Sequence, residues 1–291
     1  MRVLVLGASG MIGHTVLRVL AATPDWSVHG TLRCAAARAA LPPDLPVRWH
    51  MGVDLRDEGQ LIALFVEARP EVVINCAGLT KHQPDGREPL PALLMNAVLP
   101  QRLARLCRLA GARLVQISTD CVFSGRRGAY REDDPPDAED IYGRTKALGE
   151  ISGPGLLTLR TSTIGHEWQT RHGLLEWFLA QTECRGYTRA RFSGLPTVTL
   201  AEVLRDQVLP NPALQGLYHV AGEPIDKDAL LRLIAARYGL AVRITPDDSV
   251  AVDRTLDGTR FRAATGFTAP PWPELIAAMH ADHLTTQARH V

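Results

Sequence analysis

Short apolar runs alternate with amphipathic stretches through the first half of the chain. Residues 2–6 read as a buried strand and 13–22 as a helix stopped by Pro24. A second strand covers 27–32. Leu61, Leu64 and Phe65 mark a helix ending before Pro70, and 71–75 is another buried strand. From Asn96 to Gly111, leucines recur at 99, 103, 106 and 109 with arginines between them, a helix closed by glycine. Residues 113–118 and 156–160 are two more strands. Strands that are apolar throughout are buried on both faces, which demands a parallel sheet with helices above and below it. After residue 160 the pattern loosens. Helices are expected over 174–182, 200–208, 228–238 (with Asp226 near its start) and 273–283. Residues 216–220 read as a strand returning to the first sheet, 186–200 as extended or looped, and 246–268 as irregular. The expected division is 1–160 and a smaller region over 161–291.

Composition narrows the class. Of 291 residues 46% are hydrophobic, which excludes a disordered or fibrous chain. With 32 basic and 31 acidic side chains the net charge is +1, too little for sequence-independent nucleic-acid binding. Only three of the basic residues are lysine (Lys81, Lys146, Lys227), leaving 29 arginines. Codon usage explains the bias, but each surviving lysine raises the question whether an ammonium is required there. Five scattered cysteines without CxxC spacing argue against a disulfide framework or a metal site, and for a reducing compartment. No apolar run approaches ~18 residues, so no membrane span is expected. The opening Met1–Gly7 lacks the features of a signal peptide, and a cytoplasmic protein is expected.

The chemistry-bearing motifs lie where strands give way to helices. Gly7, Gly10 and Gly13, with Ser9, Met11 and Ile12 among them, join the first strand to the first helix. Glycines there let a backbone approach a pyrophosphate, and the helix N-terminus offers free N–H donors. The second strand ends without a carboxylate but with Arg33, which favours NADPH, NADH being the alternative. Asp54-Leu55 could place a carboxylate near an adenine, or could cap a helix. Tyr142 and Lys146 are four apart and share one helical face, so phenol and ammonium converge. Ser118-Thr119-Asp120 closes a strand and offers a hydroxyl, Thr119 first and Ser118 as the fallback.

Together these residues resemble the extended short-chain dehydrogenase/reductase family, whose fold is a Rossmann-like doubly wound parallel sheet with a smaller C-terminal substrate-binding region. The matching stretches are 7–13, Asn75-Cys76-Ala77-Gly78, 118–120 and 142–146, with Asn96 at the family's active-site asparagine. Within the family the chain is similar to the dTDP-4-dehydrorhamnose reductase group of nucleotide-sugar 4-keto reductases, on 118–125, 159–162 and 261–267. It departs at Cys121, where the group has tyrosine and related dehydratases have glutamate, and over 163–168 and 191–197. The resemblance implies NADPH-dependent reduction of a nucleotide-activated 4-keto-6-deoxy sugar in deoxysugar biosynthesis. Tyr142 would protonate the alkoxide, Thr119 would bind the carbonyl oxygen, and Lys146 would depress the phenol's pKa and hold the nicotinamide ribose. Cys76, Ala77 and Gly78 would line the cofactor. Lys81, His82, Asn96, His166, Glu167 and Trp168 are candidates for the sugar nucleotide and Arg191 and Arg254 for its diphosphate, which a planar guanidinium suits, whereas Lys227, between Asp226 and Asp228, reads as surface. A homodimer fits the resemblance. Rival readings are an epimerase of the same fold and a non-catalytic cofactor-binding regulatory subunit.

Overall fold

Seven strands form one parallel sheet in the computed structural model, which describes every residue except 40, 43, 82, 169–170 and 289–291. They are β1 (Arg2–Leu6), β2 (Ser27–Leu32), β3 (Val47–Met51), β4 (Val72–Asn75), β5 (Arg113–Thr119), β6 (Leu156–Thr161) and β11 (Gly216–His219). Their order is β11-β6-β5-β4-β1-β2-β3. The two-residue alternation of a strand sorts its apolar side chains into two cores. Val3 and Val5 of β1, Ile74 of β4 and Ile117 of β5 face α1 (Met11–Ala21), α8 (Thr197–Val203) and α11 (Trp272–Ala288). Leu4, Leu6, Val73 and Leu114 face α3 (Glu58–Ala68) and α5 (Leu99–Ala110). A short α2 (Ala35–Ala39) follows β2.

The helix expected from Asn96 starts earlier. A helical path begins with α4 (Pro89–Leu93), widens into a π turn over Leu94–Val98, and continues as α5. Pro100 has no N–H to donate to the Asn96 carbonyl, and the helix widens where that bond is missing. Asn96 therefore lies inside the bulge.

The chain beyond β6 does not stand apart from the sheet. β11 is its edge beside β6, and α8 and α11 cover it. What remains forms small pairings: β7 (Thr163–Ile164) with β10 (Leu195–Pro196), β8 (Glu183–Tyr187) with β13 (Arg243–Asp247), and a three-stranded sheet. That sheet runs β12 (Ile225–Asp226), β9 (Ala190–Phe192), β14 (Val252–Asp253). Helices α7 (Leu174–Leu179), α9 (Lys227–Tyr238) and α10 (Thr259–Thr265) complete the region. The stretch expected to be irregular over 246–268 thus contains a strand and a helix. β14 has no apolar period of its own and exists only through its partner β9. Among the described residues no helix is long and apolar enough to cross a membrane.

Candidate active site

Three glycines turn the chain from β1 into α1, each for a different reason. Gly7 has φ +76°, and a Cβ there would stand 2.8 Å from the backbone of Ala77. A Cβ on Gly13 would lie 2.0 Å from the Gly7 carbonyl oxygen, so only glycine lets the helix lie this close to the turn. Gly10 has room for a side chain but caps α1 without one. The first-turn N–H groups, around Met11, Ile12 and Gly13, have no intrahelical acceptor, and the positive end of the helix dipole stays uncovered. The result is a seat shaped for a phosphate.

A cleft of about 160 Å³ opens beside it. Gly7, Ser9 and Gly10 form one end, Cys76, Ala77 and Gly78 a wall, and Arg33, Asp54 and Leu55 the far end. Arg56, which belongs to no motif, lines it too. Its guanidinium grips Asp54 as a fork, Nε donating to Oδ1 at 2.9 Å and Nη2 to Oδ2 at 2.8 Å. With the Arg56 backbone N–H also donating to Oδ1, the carboxyl is held below its ordinary range. Asp54 does not cap α3; Asp57 does, accepting from the Gln60 N–H at 3.0 Å. The far end of the cleft therefore presents Arg33 beside a carboxylate already neutralised by an arginine.

Tyr142 and Lys146 project from α6 (Ile141–Leu148), whose first turn is fastened by Asp140 accepting from the Gly143 N–H at 2.7 Å. Lys146 is 7% exposed, and its Nζ donates to the Ile117 carbonyl at 2.7 Å. Burial lowers it to about 8, against the pull of the Glu150 carboxylate and the Cys76 thiol. β5 runs one residue further than its pattern suggested, and Thr119 is its last residue. The Thr119 hydroxyl donates to Asp120 Oδ1 at 3.1 Å and accepts from the Cys121 N–H at 3.1 Å. Ser118 is not available as its substitute, because its hydroxyl donates to Glu150 at 2.8 Å. That same carboxylate grips Arg160 through two bonds of 2.7 Å.

The expectation that Lys146 depresses the Tyr142 phenol is not met. Burial raises that phenol above its ordinary range, and the Cys121 thiol and Asp120 carboxyl add to the effect. The Thr119 hydroxyl beside it pulls the other way, whereas the Lys146 ammonium donates to the Ile117 carbonyl. Burial likewise raises the Asp120 carboxyl, opposed chiefly by the charge of Arg254.

The candidate substrate residues separate. Asn96 is 1% exposed and fully engaged: Oδ1 accepts from the Leu79 N–H, and Nδ2 donates to the Leu79 carbonyl and to Thr145 Oγ1. It holds the turn after β4 from behind and is not in the cleft. His166 and Trp168 lie in a different cavity of about 460 Å³, against α1 and α11. There His166 bridges Glu176 at 2.7 Å and Tyr238 at 2.9 Å, and Trp168 meets His14 edge to face. Glu167 accepts from the His172 N–H at the same cavity. Arg191 sits on the small sheet, half-exposed, with Asp253 3.4 Å away. His82 lies outside the described residues. Arg254 lies beside the segment after β5, its Nε donating to the Phe123 carbonyl at 2.8 Å, and its charge and that of Lys81 both reach the Cys121 thiol. Lys227 is the correction: it is not a surface lysine but half-buried, within the fields of Lys81, Arg254, Asp120 and Cys121. Its flanking aspartates pointed to solvent; only the folding of β12 against β9 turns the start of α9 inward.

Residues 1–284 match the family described as the RmlD substrate binding domain. Over 150 residues the chain is 39% identical to the dTDP-4-dehydrorhamnose reductase of Streptomyces griseus, covering 51% of this chain and 43% of that one. It therefore spans less than half of that relative's length. It is 28% identical over 243 residues to methionine adenosyltransferase 2 subunit beta of Xenopus laevis, covering 76% and 67% of the two chains. The crystal structure of a hypothetical dTDP-4-dehydrorhamnose reductase from Sulfolobus tokodaii superposes with a TM-score of 0.76 at 25% identity, covering 94% of this chain and 98% of that one.

Proposed function

The chain belongs to the RmlD substrate binding domain family, and from that premise we propose that it reduces a nucleotide-activated 4-keto-6-deoxy sugar with NADPH. One observation carries the reading: the Thr119 hydroxyl meets the Tyr142 phenol at the C-terminal end of β5, with Lys146, one turn along α6, held on the Ile117 carbonyl beside the Gly78 turn and the glycine cradle nearby. Ligands of open α/β sheets bind at that edge. The cradle fits a dinucleotide, because the one glycine with space around it, Gly10, is the one whose side chain would cover the end of α1.

When bound, the dihydronicotinamide supplies a hydride to the ketone carbon. Tyr142 donates its phenolic proton to the oxygen that becomes the alkoxide. Its burial suits this role, since a phenol held above its ordinary range is fully protonated at neutral pH. Thr119, turned from Asp120, hydrogen-bonds the same oxygen. Lys146, fixed by the Ile117 carbonyl beside the Gly78 turn, is positioned for the hydroxyls of a ribose. Arg33, with Asp54 already paired to Arg56, supports NADPH over NADH. Five free cysteines suit a reducing cytoplasm. Exposed Leu90, Leu93 and Leu148 lie on α4 and α6, which pack side by side, and supply an apolar face for a homodimer.

The test is NADPH oxidation across dTDP-, UDP- and GDP-linked 4-keto sugars, with the product sugar identified. Net oxidation and a 4-hydroxy product support the reading. Interconversion of sugars without net oxidation makes the protein an epimerase. Tight NADPH binding without turnover of any sugar favours a regulatory role, the reading to which the Xenopus laevis subunit relative lends weight.

A further inference from the structure

A hydroxyl has one proton to donate, and at Thr119 that proton is already committed. Oγ1 accepts from the Cys121 N–H at 3.1 Å and donates to Asp120 Oδ1 at 3.1 Å, with the Tyr142 phenol beside it. To bind a ketone oxygen Thr119 must donate, because a carbonyl oxygen only accepts. An ionised Asp120 also only accepts, so it competes with the substrate for the same proton. A neutral carboxyl reverses the bond. Its O–H donates to Oγ1, both lone pairs of Oγ1 are then filled by Cys121 and Asp120, and the Thr119 proton is free for the ligand.

The surroundings of Asp120 favour the neutral form. The residue is 5% exposed and opens the tight turn Asp120–Val122 that follows β5. Among the described residues it makes no ion pair. Arg254, which follows β14, directs its Nε to the Phe123 carbonyl at 2.8 Å. The other groups facing the carboxyl are the Cys121 thiol, the Ser162 hydroxyl after β6, the Tyr142 phenol from α6 and Lys227 at the start of α9. A carboxylate buried without an ion pair is costly, and such a group takes up a proton instead. Burial pushes the Asp120 carboxyl in that direction, with the charge of Arg254 opposing it. The chemistry asks for the same state. A carboxylate one hydrogen bond from the ketone oxygen would oppose the negative charge that develops there.

We propose that Asp120 is a positioning residue that acts as a carboxylic acid, donating to Thr119 Oγ1 and so turning the Thr119 proton onto the ketone oxygen. The assignment deepens the reductase reading above and rests on it. The Asp120 proton stays on its carboxyl throughout; the proton that neutralises the alkoxide is the one donated by Tyr142. Asparagine can stand in for the acid, since an amide N–H donates to Oγ1 at every pH. Leucine, of similar size, has nothing to donate.

The experiment compares the full chain with Asp120→Asn and Asp120→Leu, using NADPH binding to establish that each variant is folded. The infrared difference spectrum of wild type minus Asp120→Asn should contain the C=O stretch of a neutral carboxyl at neutral pH, giving way to carboxylate stretches as the pH is raised. With a keto sugar that the wild type reduces, Asp120→Leu should lower kcat about 10²-fold with KM little changed, as removal of one donor to a developing oxyanion does. Asp120→Asn should recover most of that loss. Its turnover should also persist at alkaline pH where that of wild type falls with ionisation of Asp120, a difference that a merely structural role would not produce. A spectrum without the neutral-carboxyl band at neutral pH overturns the assignment, and so does Asp120→Asn no more active than Asp120→Leu. If no keto sugar is reduced, the reductase reading falls, while the band still decides whether Asp120 is an acid bonded to Thr119. The two failures are therefore separable.

Discussion

Burying the Lys146 ammonium should leave a signature in the pH dependence of stability. The group is 7% exposed, donates one hydrogen bond, and is lowered from 10.5 to about 8 by burial. A shift of that size corresponds to about 3 kcal/mol between its two protonation states. The sign follows from linkage. Below pH 8 the lysine is charged in both folded and unfolded chains, and folding bears the full cost of burying it. Between pH 8 and 10.5 the unfolded chain still binds the proton while the folded one has released it, so stability rises with pH. Between pH 7.5 and 9.5 this group alone should add about 2 kcal/mol. In Lys146→Met that gain should vanish, and the variant should be the more stable protein at pH 7.5 while losing reductase activity. Lys146→Arg should also lose the gain, because a guanidinium cannot shed its charge. It should in addition be destabilised, since its extra N–H donors would be buried where a Cβ on Gly78 would already be 3.9 Å from Nζ. The assay is urea unfolding of all three proteins at pH 7.5 and 9.5. Parallel stability changes in wild type and Lys146→Met would refute the reasoning.

Further outcomes are as specific. Tyr142→Phe should lower turnover about 10²–10⁴-fold while NADPH binding, followed by fluorescence, stays intact; near-normal turnover removes the proton-donor role. Arg56→Ala releases the Asp54 carboxylate and should raise the KM for NADPH about tenfold relative to that for NADH, with an equal effect on both cofactors counting against the electrostatic account. Glu150→Gln breaks the grip on Arg160, whose side chain is 3% exposed, and should cost about 3–5 kcal/mol in chemical denaturation; a change below ~1 kcal/mol would mean the pair is not buried as described.

Much of this fold can be read from local pattern because its strands are short, apolar and separated by helices with their own stop signals. Val3 and Leu4 are adjacent, apolar and both fully buried, which is enough to require layers on both faces of the sheet. Gly7, Gly10 and Gly13 are legible for the same reason: a strand-to-helix turn has its constraints within a few residues. Arg56 was missed because its effect runs through Asp54, two residues away, and no motif encodes that fork. Asn96 carries the right residue type at the right spacing, yet Pro100 opens a π turn and the amide is spent on Leu79 and Thr145.

The parallel sheet, the glycine cradle and the one-turn spacing of Tyr142 and Lys146 are legible in the chain, since each depends on periodicity or on close neighbours. It also held a signal that could not be interpreted locally, the survival of three lysines among arginines. Where those lysines go depends on contacts made between distant parts of the folded chain. β12 and β14 have almost no strand pattern of their own; pairing with β9 and packing on Gly125 bring Arg254 beside the segment after β5 and leave Lys227 half-buried at the start of α9. The same long-range packing took His166 to a separate cavity and left the phenol of Tyr142 raised by burial where a nearby cation had been expected to lower it. Burial and charge proximity are sums over residues far apart in the chain, which is why no spacing rule could supply them.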